Sequence, residues 1–136
     1  MKLNPNCIRD ILLYLEEHLV ISPELEYQEV DSYQLAEHLE YAIQEIVNTL
    51  LVLRDANFII LSVDDSLSNI DVYRITYNGY QFIESIRPKS VWDKTLSVSR
   101  RIGSFSLDLI SQVAHETLSA MIPVALSAIT NVQTHP

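Results

Sequence analysis

The stretch Tyr73-Arg74-Ile75-Thr76-Tyr77-Asn78-Gly79-Tyr80-Gln81-Phe82-Ile83-Glu84-Ser85-Ile86 constrains this chain more than any other. A short β-branched strand runs directly into an apolar helix, with Gly79 three residues after Thr76. Upstream, Leu50 to Ile60 reads as the end of a helix turning into another strand. The two pieces therefore flank one hairpin, with helix on either side of it.

Composition narrows what such a chain can do. Gly79 and Gly103 are the only glycines among 136 residues. A Walker loop or a dinucleotide fingerprint needs several glycines to bring backbone N–H groups onto phosphates, so neither can be built here. The single Cys7 cannot form an internal disulfide, which fits a reducing compartment. Met1 to Pro5 leads into a helical pattern carrying Arg9, Asp10, Glu16 and Glu17, so no secretory apolar region is expected there and a cytoplasmic setting is the default. Charge is uneven. Residues 1–45 hold ten acids against Lys2 and Arg9, residues 87–101 hold Arg87, Lys89, Lys94, Arg100 and Arg101 against Asp93, and no Lys or Arg follows Arg101.

Asn6 is expected to cap a first helix through about Leu19, with Ile8, Ile11, Leu12, Leu15 and Leu19 on one face and Ser22-Pro23 stopping it. Leu25 to Val30 alternates as a short strand. Asp31-Ser32 caps a second helix holding Leu35, Ala36 and Leu39. A third starts near Glu40 or Tyr41, turns Ile43, Ile46, Val47, Leu50, Leu51 and Leu53 inward, and ends at Asn57 in a left-handed cap. Phe58 to Val63 and Ile70 to Thr76 are strands joined by the turn-forming Asp64-Asp65-Ser66-Leu67-Ser68-Asn69, and Tyr77 to Ile86 is a fourth helix. Helix, strand, helix, helix, hairpin, helix is the order of a winged helix-turn-helix, in which the second and third helices form the helix-turn-helix unit. The expected architecture is mainly α with a small β-hairpin, a winged-helix domain over 1–88, and a helical C-terminal extension over 89–136 that serves oligomerisation.

Four segments carry a family resemblance: Met1 to Leu12, Ile75-Thr76-Tyr77-Asn78-Gly79-Tyr80-Gln81-Phe82, Val91-Trp92-Asp93-Lys94-Thr95, and Gly103-Ser104-Phe105-Ser106-Leu107-Asp108. Together they resemble an uncharacterised winged-helix family, a domain of unknown function of bacteria and their phages. The resemblance spans nearly the whole chain. It implies a winged helix with a helical extension in a phage or prophage setting, and it brings no catalytic residue set.

The residues themselves offer little catalytic chemistry. His18 and His38 each stand beside a carboxylate, Glu17 and Glu37, but neither helix supplies a second His or Cys at i+3 or i+4, so surface histidines rather than metal ligands are expected. Cys7 falls among Ile8 and Ile11 at a helix start, where a half-buried thiol is a packing residue. Asp64 and Asp65 read as solvated turn acids. Tyr77, Tyr80 and Phe82 are spaced to dock the fourth helix onto the wing. No catalytic residue, metal or cofactor is expected, and the protein is not read as an enzyme.

Binding remains. On the third helix Gln44, Glu45, Asn48 and Thr49 form the expected recognition face, with Arg54 and Asp55 beyond. Gln44, Asn48 and Thr49 could read base edges, yet Glu40, Glu45, Asp55 and the wing acids oppose a phosphate backbone. A protein partner is the leading reading. A DNA-binding regulator and a small-ligand binder, such as one holding a nucleotide at a subunit interface, are the alternatives, and both would use Arg87, Lys89, Lys94, Arg100 and Arg101. From Ser104 a long helix carries two apolar rows, Phe105, Leu109 and Val113, and Leu107, Ile110, Leu118 and Met121. Phe105, Leu109, Val113, Leu118 and Met121 are the expected interface of a homo-oligomer, a dimer or tetramer. The uncharged tract 117–132 is interrupted by hydroxyls and Pro123, so membrane insertion is the minor alternative.

Overall fold

The structure, a computed structural model, describes residues 1–134. They form two compact units, one over Met1–Glu84 and one from Ser85 onward.

In the first unit α1, Pro5–His18, buries Cys7, Ile8, Ile11, Leu12 and Leu15, a stripe at i, i+3, i+4 and i+7. Its cap is Asn4 and not the expected Asn6: the Asn4 side chain accepts from the Asn6 N–H at 3.0 Å. This puts Pro5 at the first helical position, where its missing N–H is no loss. The helix is over by His18, ahead of Ser22-Pro23, because Leu19 turns extended and starts a hairpin. In that hairpin β1, Val20–Ile21, pairs antiparallel with β2, Tyr27–Gln28. The expected strand from Leu25 to Val30 is therefore divided. Leu25 sits in the turn at φ 64, and β3, Val30–Asp31, pairs instead with the sheet behind it.

α2, Ser32–Leu39, is capped by Asp31, which accepts from the Gln34 N–H at 2.8 Å. Glu40 adopts a left-handed conformation at φ 60 and ends α2, so α3 begins at Ile43, later than expected. α3, Ile43–Asp55, ends with Asn57 at φ 63, the left-handed residue anticipated there. The Asn57 and Phe58 N–H groups return to the Arg54 and Leu53 carbonyls at 2.8 and 2.9 Å, satisfying the last turn.

The wing strands β4, Ile59–Val63, and β5, Ile70–Ile75, are antiparallel with an irregularity between Ile60 and Leu61, and the sheet order is β3-β5-β4. Central β5 buries Ile70, Val72 and Ile75. α4, Tyr77–Ile86, follows at once. At the junction the Thr76 N–H donates to the Phe58 carbonyl at 3.0 Å, and its hydroxyl donates to the Asn57 carbonyl at 2.5 Å. The same hydroxyl accepts from the Gly79 N–H at 3.1 Å and so caps α4. A Cβ at Gly79 would lie 2.1 Å from the Phe58 oxygen, so glycine is needed for close approach and not for a left-handed φ. Helices on a small antiparallel sheet, in this order, make a winged helix.

In the second unit α5, Lys89–Ile102, packs against α6, Leu107–Thr134. Gly103, at φ 82, ends α5 with its N–H on the Ser99 carbonyl at 2.8 Å. α6 begins at Leu107, later than the expected start at Ser104, and is capped by Ser106, whose hydroxyl accepts from the Leu109 N–H at 3.2 Å. It continues through Pro123 with one backbone donor fewer. The 24 residues of Leu107–Thr130 are consequently long and apolar enough to cross a membrane by length and composition, where the sequence suggested a shorter, broken tract.

Candidate partner-binding face

The helix-turn-helix is held from below by side-chain hydrogen bonds. Gln34 donates to the Tyr14 hydroxyl at 2.8 Å, and the Tyr41 hydroxyl donates to Asp10 at 2.7 Å, tying α1 to α2 and to the turn before α3. Burial, reinforced by Asp10, pushes the Tyr41 hydroxyl well above its ordinary pKa, so it stays a donor. The buried Ser32 hydroxyl accepts from the Ile70 N–H at 3.2 Å and fixes α2 to the sheet.

α3 then presents a definite side outward. Ile46, Thr49, Leu50 and Leu53 are buried. Ile43, Val47 and Leu51, expected inward, lie partly exposed on the other side. α3 is apolar on two adjacent rows, and one helix face has room for only the first against α1 and the sheet. Of the expected recognition residues, Gln44 is exposed and Glu45 and Asn48 are half-exposed, but Thr49 is not on that face at all. Its hydroxyl donates to the Glu45 carbonyl at 2.8 Å and sits beside Cys7, so it cannot read a base. Arg54 is paired with Asp55 at 3.4 Å on the surface.

The outward row opens a groove of about 400 Å³, lined by Ile43, Val47 and Leu51 of α3, Tyr33 of α2, Met1 and the wing residue Leu67, with Gln44 and Asn48 completing it. Leu67 comes there from the wing turn at φ 60, a conformation that a leucine rarely adopts. Asp64 organises this turn. Its carboxylate accepts from the Ser68 N–H at 2.8 Å and from the hydroxyls of Ser68 and Ser66. The Ser68 hydroxyl, first among these donors, holds the Asp64 carboxyl below the usual range, so a charge stands beside the groove.

Other predicted residues fall into plainer roles. Cys7 is fully buried, and burial raises its thiol to about 11, leaving it protonated and inert at neutral pH. His18 and His38 are brought together across Tyr14, which the sequence did not reveal: ring centroids are 3.8 Å apart to His18 and 5.6 Å to His38. Among the described residues, no three His, Cys, Asp or Glu side chains converge as metal ligands. Phe82 is buried and stacks on Phe58 at 4.9 Å, whereas Tyr77 and Tyr80, expected to dock α4, are exposed. Tyr80 instead lines a shallow concavity with Tyr27, Tyr73 and Arg74 beside the β1–β2 hairpin.

In the second unit the basic residues are strung along α5. Lys89 pairs with Asp93 at 3.0 Å near its start, while Arg100 and Arg101 are exposed in its last turn. Eleven residues of helix separate Lys89 from Arg100 by about 16 Å, so these cations do not converge on one small anion. Arg87 is half-buried before α5, and Lys94 is exposed on it. Of the expected interface residues Phe105, Leu109, Val113 and Leu118 are half-buried, and only Met121 is exposed. Beyond it Ile122, Val124, Leu126 and Ile129 are all exposed, with Val124 at 71%. Lys94 and Ser90 of α5 and Ala120, Met121, Val124 and Ala128 of α6 border a second apolar groove of about 500 Å³.

Several solved proteins are similar to this chain at low identity. MepR, a transcription regulator of the Staphylococcus aureus multidrug efflux pump MepA, is 18% identical with a TM-score of 0.47, over 91% of this chain and 78% of that one. The adhesin competence repressor AdcR from Streptococcus pyogenes is 17% identical with a TM-score of 0.45, over 94% and 81%. A MarR transcriptional regulator from Methanosarcina mazei Go1 is 13% identical with a TM-score of 0.42, over 90% and 78%. No curated protein matches the chain. The family model described as "Hypothetical protein (DUF2513)" matches residues 2–106, from just before α1 to the cap of α6, and the chain belongs to that family.

Proposed function

We propose that this chain is a non-catalytic, homo-oligomeric winged-helix protein that acts by binding another protein through the face formed by α2, α3 and the wing. One observation carries the reading: where a helix entering a DNA groove presents cations, α3 presents Ile43, Val47 and Leu51, closed off by Tyr33 and Leu67. Among the described residues the groove lining holds no Lys or Arg, and Asp64 and Asp65 stand in the adjoining turn. Phosphate contacts supply most non-specific DNA affinity, and the one cation on α3, Arg54, is paired with Asp55 at 3.4 Å. An apolar groove is what a protein side-chain row fills.

Assembly rests on α6. From Ser119 to Thr130 every residue is exposed and none is charged, so the helix offers apolar surface on all sides. A helix apolar all round is stable when enclosed, and a second copy offers the same surface to a closed dimer or tetramer. The phage or prophage setting implied by the resemblance belongs to this reading, as does the cytoplasm of a bacterial host; the genes flanking this one would check the first.

A second reading is a DNA-binding transcriptional regulator. The order of its helix-turn-helix and wing favours it, and it carries over what the similar solved proteins are described as. In that case Gln44 and Asn48 would meet base edges. Selection from random duplexes at about 150 mM salt separates the two. We expect no enriched motif, together with an in-cell protein adduct from a photo-crosslinking residue placed at position 47. Submicromolar, sequence-selective duplex binding lost on Asn48→Ala would overturn the protein reading. Light scattering tests the assembly: a chain monomeric at tens of micromolar refutes it, and binding to lipid vesicles would then bring the membrane reading forward.

A further inference from the structure

We infer that the α3 groove receives an amphipathic helical segment of the partner whose apolar row is flanked by Lys or Arg; this deepens the protein-binding reading and rests on it. The groove's floor runs from Ile43 through Val47 to Leu51, about 12 Å or two helical turns. Apolar anchors at i, i+4 and i+7 of an incoming helix span a matching length. The groove is about 400 Å³, at the small end of the ~300–1,000 Å³ of binding clefts, enough for a few side chains rather than a domain.

Leu67 supports this independently. A leucine held left-handed on the surface, 46% exposed, is disfavoured both by its backbone and by its hydration. The Asp64 turn imposes that conformation through the Leu67 N–H on the Asp64 carbonyl at 3.2 Å, and it delivers the side chain to the groove's edge. Strain spent on presenting an apolar side chain is explained by a partner that covers it.

Charge selects the partner's flanks. None of the acids lines the groove itself, but Glu40 and Glu45 of the α2–α3 segment and Asp64 and Asp65 of the wing turn, beside its lining residues, outnumber Lys2 and the Met1 amine. Asp64 is kept ionised by its turn. Lysines or arginines beside the apolar row would meet these acids and speed encounter, whereas acidic flanks would be repelled.

The full chain would be titrated against three labelled peptides of about 18 residues, long enough for stable helical turns. One carries Leu at i, i+4 and i+7 with Lys and Arg flanks, one has the same row with Glu flanks, and one scrambles the first. Fluorescence anisotropy should show micromolar saturation by the first and roughly tenfold weaker binding by the other two. Val47→Asp and, as a wing variant that leaves the core untouched, Leu67→Ser should each weaken the first peptide several-fold. Asp65→Lys should weaken the first and strengthen the Glu-flanked peptide. Equal binding of the scrambled peptide, indifference to Val47→Asp and Leu67→Ser, or no saturation by any peptide overturns the inference. The crosslink at position 47 separates the two levels. An adduct on an acidic or non-amphipathic protein segment sinks this inference and leaves the protein reading, and an adduct on DNA sinks both.

Discussion

Replacing Gly79 by alanine sets two effects of opposite sign against each other at the strand-to-helix junction. Gly79 lies in the first turn of α4, where alanine gains about 1 kcal/mol over glycine from helix propensity alone. The added Cβ, however, would stand 2.1 Å from the Phe58 oxygen and 2.7 Å from Cγ2 of Ile75. Carbon and oxygen tolerate no approach much below about 3.3 Å, so the backbone would have to open by about 1 Å. Phe58 also accepts the Thr76 N–H at 3.0 Å, and that opening strains the bond and its neighbour from the Thr76 hydroxyl to Asn57. Overpacking of this kind costs about 1–3 kcal/mol, and a weakened hydrogen bond about 1 kcal/mol more. The net expectation is a loss of about 2 kcal/mol, or about 8–16 °C in Tm for a unit of this size. Thermal and urea unfolding followed by far-ultraviolet circular dichroism would measure it. A variant as stable as the parent, or stabilised by the propensity gain, would refute the view that this contact dictates glycine.

Leu50→Ala should destabilise by about 2–5 kcal/mol because Leu50 is fully buried, while Leu51→Ala on the groove side should cost less than about 1 kcal/mol; urea midpoints of the two compare the faces of α3 directly. Cys7 should resist a thiol reagent near pH 8 in the folded chain and react at the unfolded rate in denaturant, since burial holds its thiol at about 11; rapid native labelling would contradict this. The Asp64 carboxyl is depressed in the folded chain, so its contribution is present above the unfolded pKa near 4 and is lost as pH falls through the lower folded value. Asp64→Asn should therefore remove part of the acid dependence of wing order, read as amide exchange at Leu67 and Ser68 across that window.

The segments legible in the sequence are those whose conformation is set within a few residues. α4 runs from Tyr77 to Ile86 as its pattern dictates, Asp31 caps α2, Asn57 is left-handed, and the wing strands fall within a residue of expectation. Local periodicity and turn chemistry act over such spans and need no tertiary information. Helix starts shift where several hydroxyls and amides compete within one turn: Asn4 caps α1 in place of Asn6, and Ser106 caps α6, which starts at Leu107 rather than Ser104. What only tertiary packing decides is which of several apolar rows is covered. Both rows of α3 look internal in sequence, and α1 with the sheet can cover Ile46, Leu50 and Leu53 but not Ile43, Val47 and Leu51. The same competition buries Thr49, exposes Tyr77 and Tyr80, and carries the open surface of α6 past Met121 to Val124 and Ile129. Tyr14 joins His18 to His38 across 20 residues of chain, a proximity that no local pattern encodes. The helices were thus written in residue order, and the binding face was written by what the rest of the fold had no surface left to cover.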